Sequence, residues 1–115
     1  MKKESNIQNT IRLALSDAGV LSFRNNVGAY KTDAGHYVRY GVGESGGSDL
    51  ICATPVLITP DMVGQTLAVF TAIEVKNKTG RPTQKQLAFI EAIKRIGGFA
   101  GIARSSQEAL NIIKK

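Results

Sequence analysis

The stretch Leu67-Ala68-Val69-Phe70-Thr71-Ala72-Ile73-Glu74-Val75-Lys76 decides how this chain is read. From Leu67 to Ile73 it is apolar on both faces of an extended segment, which predicts a central strand covered on each side. Successive side chains of a strand point to opposite faces. Glu74 and Lys76 therefore project together, roughly 7 Å apart along the chain, while Val75 turns toward the core. A carboxylate and an amine at the end of such a strand are costly to desolvate unless they face each other, a metal ion or an open cleft. A second stretch, Gly47-Ser48-Asp49-Leu50-Ile51, reads as a strand that starts on an acid. The chemistry of the chain is expected at Asp49, Glu74 and Lys76.

Composition narrows the classes. The 115 residues are enough for one domain, residues 1–115, and too few for a second core. Fifteen Lys and Arg against nine Asp and Glu leave a formal charge of +6, which favours an anionic partner such as nucleic acid. The lone Cys52 offers neither a disulfide nor a zinc cluster, so a reducing cytosolic compartment is expected. His36 is equally solitary, which removes zinc-hydrolase readings and histidine-dependent nucleophile triads. After Lys2-Lys3, the residues Glu4, Asn6, Gln8 and Asn9 stand where a signal peptide would need an apolar run. No run approaches membrane-spanning length.

Taken in order, Ile7, Ile11, Ala14, Leu15 and Ala18 recur at helical spacing from Glu4 to about Ala18, and Gly19 closes the pattern. Glu4 and Gln8 fall on the same stripe and are expected to point into the protein; the local reading of Glu4 is an acid complementing the helix dipole. Val20 to Arg24 reads as a short strand, and Val27 to Lys31 pairs with His36 to Tyr40 as a hairpin through Asp33-Ala34-Gly35. Lys31, Arg39 and the tyrosines would lie on its exposed side, as a solvated face or along a phosphate backbone.

Gly41-Val42-Gly43-Glu44-Ser45-Gly46-Gly47 contains the spacing G-x-G-x-x-G. That fingerprint needs a helix at its end to hold a pyrophosphate, and here a strand follows, so a dinucleotide site is rejected. The loop instead presents Asp49, whose local reading is a turn residue bonding its own backbone. After the loop Pro55 to Gln65 and the long strand, Asn77-Lys78-Thr79-Gly80-Arg81-Pro82 is a basic turn. Thr83 caps a second helix with Leu87, Ile90, Ile93 and Ile96 inward, stopped by Gly97-Gly98, and Gln86 stands at the capping-box position. Phe99 to Ala103 is a last strand, and Ser105 with Glu108 forms a capping box for a closing helix through Ile113.

Carboxylates converging beside a lysine in a basic protein match metal-assisted phosphodiester hydrolysis. Hard oxygen ligands suit Mg²⁺, with the carbonyl of Val75 as an extra donor. Lys76 would orient or help deprotonate the attacking water and offset charge on the phosphate. The plainer account of Glu74 and Lys76 is a half-exposed salt bridge of little energetic consequence.

Asp49 followed by Glu74-Val75-Lys76 resembles the PD-(D/E)xK nuclease superfamily. The resemblance narrows to its VRR-NUC branch through four features in order: Glu4 before Ile7-Gln8, then Gly46-Gly47-Ser48-Asp49-Leu50-Ile51, then the EVK triplet, then Gly80-Arg81 with Gln86 on a helix ending Gly97-Gly98. The resemblance implies an α/β (α+β) restriction-endonuclease-like αβββαβ core, a mixed central sheet flanked by helices, that cleaves nucleic acid with Mg²⁺ or Mn²⁺. Asp49 and Glu74 would be metal ligands and Lys76 the catalytic lysine. Glu4 would reach the metal directly or through water, and Gln86 would position Lys76 or a phosphate. The superfamily's proline-aspartate pair appears as Ser48-Asp49, and in place of the branch's Val-Arg-Arg triplet stands Ile102-Ala103-Arg104, where Arg104 is at most a phosphate contact.

Stand-alone members of this branch are similar to phage or bacterial enzymes that cut branched DNA, which implies a homodimeric, Holliday-junction-type endonuclease in the cytoplasm of a bacterial or phage-infected cell. Lys78, Arg81 and Lys85 are the expected backbone contacts. Two other readings compete: a non-catalytic nucleic-acid-binding module on the same fold, and a small interaction or inhibitor protein for an acidic partner. Against both stands the unbalanced like charge of Asp49, Glu74 and Glu4 beside one lysine, an objection that a metal removes.

Overall fold

A computed structural model describes residues 3–43 and 46–114; Lys2 of the basic pair and Glu44-Ser45 of the glycine loop lie outside the described residues. The elements run α1 (Glu4–Asp17), β1 (Leu21–Arg24), β2 (Gly28–Lys31), β3 (Tyr37–Tyr40), β4 (Leu50–Ala53), a 3₁₀ turn (Pro60–Met62), β5 (Thr71–Val75), α2 (Gln84–Arg95), β6 (Phe99–Ala103) and α3 (Ser106–Ile112). Strand directions are mixed: β1 with β4 and β2 with β3 are antiparallel, β5 with β6 parallel. The fold is the expected α+β class. Two compact units divide the chain, residues 1–54 and 55–115.

In the first unit α1 packs on β1. The half-buried side of the helix is Gln8, Arg12 and Leu15, spaced one turn apart, whereas Ile7 and Ile11 each remain 45% exposed. The reason is Arg12. Its guanidinium donates from Nε to Ser22 Oγ (3.2 Å) and from Nη2 to the Ser22 carbonyl (3.2 Å), which turns the Arg12 side of the helix toward β1. Glu4, expected on an inward stripe, is consequently exposed at the helix start, in the first turn where an acid complements the dipole. The hairpin forms as read, Ala29 opposite Arg39 and Lys31 opposite Tyr37.

The second unit is a β5–α2–β6 crossover closed by α3. Thr83 Oγ1 accepts from Gln86 N (3.1 Å) while Gln86 Oε1 accepts from Thr83 N (2.9 Å), a full capping box that fixes the start of α2. Ile90 and Ile93 are buried beneath it. Gly98 abuts Ile93 of α2 and Gly101 abuts Ile112 of α3, each too closely for a Cβ, so the two helices take opposite faces of the ladder. At α3 the expected box is rewired: Ser105 Oγ accepts from Glu108 N (3.2 Å), but Glu108 Oε1 accepts from Arg104 N (2.7 Å).

Two expectations about the long apolar stretch need correcting. The strand begins at Thr71, not Leu67, because β6 offers five residues to pair with before Gly97-Gly98 turns the chain. Val75 is 74% exposed and not core: it shares a face with Ile73, Gly101 and Ala103, and the seven-residue α3 covers that face over β6 without reaching across to Val75.

Ile93 is the fully buried hub of this unit. Its replacement by Ala should lower the unfolding free energy by about 2–5 kcal/mol in a urea titration, the cost of a core cavity.

Candidate active site

Asp49 stands immediately before β4, at the end of the glycine-rich loop. No helix follows the loop, so the phosphate-binding helix N-terminus of a dinucleotide site is lacking here. Two glycines close the loop on itself. Gly41 has φ 94°, and a Cβ on it would fall 2.6 Å from the Asn26 carbonyl; one on Gly47 would fall 2.0 Å from the Val42 carbonyl.

Asn25 then ties both ends of the loop. Its Nδ2 donates to the carbonyls of Val42 (2.8 Å) and Ser48 (2.9 Å), its Oδ1 accepts from Val42 N (2.9 Å), and its own N–H donates to the Asp49 carbonyl (2.9 Å). The backbone of Asp49 is thus fixed while its side chain stays exposed. It lines a cleft of about 460 Å³ together with Asn25, Gly28, Ala29, Arg39 and Gly47. Arg39 and Asp49 border one open space, in which the guanidinium is the group suited to a phosphate.

In the second unit Glu74 and Lys76 project from β5 on the face that α2 covers. Lys76 Nζ lies 3.5 Å from Glu74 Oε2, with side-chain exposures of 19% and 31% respectively. The pair has the geometry of the half-exposed salt bridge read from the sequence. Lys76 N donates to the Ala103 carbonyl (3.1 Å), extending the ladder by one bond beyond Val75.

The turn after Lys76 is built around Asn77, whose Oδ1 accepts from Gly80 N (2.7 Å) and Thr79 N (3.2 Å). Arg104 locks it from β6: its Nη1 donates to the carbonyls of Asn77 and Gly80, the latter at 2.7 Å. Lys78, Arg81 and Lys85 are exposed around this turn. Gln86 is half-buried with its Oε1 engaged in the capping box, the local role foreseen for it.

The predicted site residues therefore fall in both units: Glu4 and Asp49 in the first, Glu74, Val75, Lys76 and Gln86 in the second. Within neither unit do three of His, Cys, Asp and Glu gather among the described residues to hold a metal ion. Sequence reasoning missed the role of Asn25 and gave Arg104 only a phosphate contact, whereas its guanidinium is engaged by the Asn77 and Gly80 carbonyls. Asn25 carried a usable signal, a polar doublet at the end of a strand. For Arg104 the signal was a lone cation at the end of the strand that pairs with the EVK strand.

An α+β core of this element order, with acids at strand ends, belongs to the restriction-endonuclease-like class. The VRR-NUC domain family matches residues 3–107, across both units, and the chain belongs to that family. It is accordingly a nuclease-type domain whose substrate is DNA. Comparison with curated proteins and with solved structures finds no match. Among the described residues, no helix is long and apolar enough to cross a membrane.

The clamp at Asn25 is testable without any assay of activity. Asn25→Ala removes all three side-chain bonds and should lower stability by about 1–3 kcal/mol in denaturant titration. Asn25→Asp, which keeps the acceptor for Val42 N and loses both donors, should recover only a minor part of that loss.

Proposed function

We propose that the chain is a metal-dependent endonuclease of the PD-(D/E)xK type that hydrolyses phosphodiester bonds of branched DNA. The observation that carries this is the Glu74–Lys76 pair held on one face of β5, in a chain whose family match spans both units. In this reading residues 1–115 act as one domain, with Asp49 and Glu74 as its metal ligands. The donor set is all oxygen, two carboxylates and the Val75 carbonyl, and so fits Mg²⁺ or Mn²⁺ and not a softer ion. When bound, the ion polarises the phosphoryl oxygen and acidifies a water.

The protein's own groups do the rest. Glu74 holds the Lys76 ammonium in place at 3.5 Å, so that the amine orients the attacking water and offsets charge growing on the phosphate. The attack forms a new P–O bond as the bond to the sugar oxygen breaks; the proton lost by the attacking water passes to solvent, and the departing oxygen takes one from solvent. Glu4 supports the water from the start of α1. Gln86, with Oε1 committed to Thr83, has the donor Nε2 left; an ammonium cannot accept from it, so it serves a phosphate oxygen and not Lys76.

Lys78, Arg81 and Lys85 contact the backbone of the flanking DNA. A two-fold homodimer would set one site on each of two symmetric strands, as a four-way junction requires. The setting is the cytoplasm of a bacterial or phage-infected cell.

A second reading, a non-catalytic DNA-binding module, draws on the same salt bridge, because Lys76 already neutralises Glu74 without a metal. Cleavage decides between them. Labelled linear duplex, single strand, flap and four-way junction are incubated with Mg²⁺, Mn²⁺ or EDTA. The expected result is metal-dependent cutting fastest on the junction, slowed about 10²-fold or more in Lys76→Ala. Binding without cutting under every condition would establish the binding module. Separately, Lys85→Ala should reduce the salt dependence of binding by about 0.9 in log–log slope, the signature of one lost phosphate contact.

A further inference from the structure

The β2–β3 ribbon carries two unlike faces. In an antiparallel pair, residues opposite each other share a face, so Ala29, Arg39, Lys31 and Tyr37 lie on one side, and Gly28, Tyr40, Tyr30 and Val38 on the other. The second side is closed near its base, where the Tyr40 ring lies so close over Gly28 that a Cβ there would meet its hydroxyl at 2.3 Å. The first side opens at its base into the cleft lined by Ala29, Arg39 and Asp49. Going outward from Asp49, the side chains met are Arg39 beside the small Ala29, then Lys31 beside Tyr37, which is 72% exposed.

We propose that this face of the ribbon is the track along which the DNA strand leaves the Asp49 cleft. Arg39 and Lys31 bind phosphates two nucleotides apart on one strand, and Tyr37 packs on a sugar or base between them. Charge argues for it. The ion pairs among the described residues are Lys76 with Glu74 and Lys94 with Glu91, so neither Lys31 nor Arg39 is neutralised by a carboxylate there. Neither strand of the ribbon contains an acid. Spacing argues for it as well: Arg39 and Lys31 are diagonal neighbours across the ribbon, roughly 7–8 Å apart, close to the axial rise of two nucleotides on one DNA strand. A two-stranded ribbon is also narrow enough to follow a DNA groove. A planar guanidinium next to the carboxylate fits a phosphate bidentately at the place where Asp49 would need it.

The inference rests on the reading of the Asp49 cleft as the nuclease site, and its test separates the two. Binding of labelled four-way junction and linear duplex is measured by fluorescence anisotropy over a salt series. The full-length chain carries Lys76→Ala so that nothing is cut. Adding Lys31→Gln with Arg39→Gln should weaken binding at least about tenfold at moderate salt and lower the log–log salt slope by about 1.8, the value for two phosphate contacts. Tyr37→Ala should weaken binding where Tyr37→Phe does not, since stacking needs the ring and not the hydroxyl. Val38→Thr, on the opposite face, should change neither quantity. An unchanged slope in the double variant, or an equal loss from Val38→Thr, overturns the track. If the chain with Lys76 restored binds DNA through Lys31 and Arg39 yet never cuts it with Mg²⁺ or Mn²⁺, the nuclease reading alone is overturned; if it binds no DNA at low salt, both are overturned.

Discussion

Parallel pairing of β5 with β6 is the constraint that organises the second unit of this protein. Parallel strands cannot be joined by a tight turn, so the chain must cross over, and here α2 makes the crossing. Because α2 takes one face and α3 the other, the alternation of β5 acquires meaning: Glu74 and Lys76 go under α2, while Ile73 and Val75 go to the side of α3. The same pairing brings the end of β6 beside the end of β5, which lets Arg104 reach the turn that follows Lys76. Ladder, salt bridge and turn are one cooperative arrangement.

The loop before β4 solves a different problem with the same economy of parts. An acid that must face solvent or substrate cannot be anchored by burying its side chain. Asp49 is held instead through its carbonyl and through a loop too crowded for side chains at Gly41 and Gly47. One amide, that of Asn25, satisfies three backbone groups of that loop. Because the clamp is a neutral amide, it holds the loop without forming an ion pair with the Asp49 carboxylate.

Much of this was legible in the sequence. Helical spacing in α1 and α2, the Thr83 cap, the hairpin about Asp33 to Gly35 and the strand after Asp49 all follow from local rules that the structure obeys. The family resemblance, carried by Asp49, the EVK triplet and Gln86 in order, proved specific enough to identify the domain. What was not legible depends on partners distant in the chain. Strand β5 is shorter than its apolar run because its length is set by β6, 28 residues further on, as the pairing of Thr71 with Phe99 and of Val75 with Ala103 shows. The inward side of α1 follows Arg12 and its bonds to Ser22, which no hydrophobic periodicity reports. Asn25 and Arg104 act through backbone carbonyls, and a carbonyl leaves no trace in residue type.

The dependence of the Lys76 turn on Arg104 has a consequence for how the protein comes into being. A chain emerging from the ribosome delivers Glu74 and Lys76 nearly thirty residues before the arginine that shapes the turn beside them, counting from Lys76 to Arg104. Until β6 is released, β5 lacks its ladder partner and the turn lacks its lock. The acid–lysine strand therefore gains its ladder partner only after α2 has been made, and a chain cut short before Arg104 lacks the lock on the turn that follows Lys76.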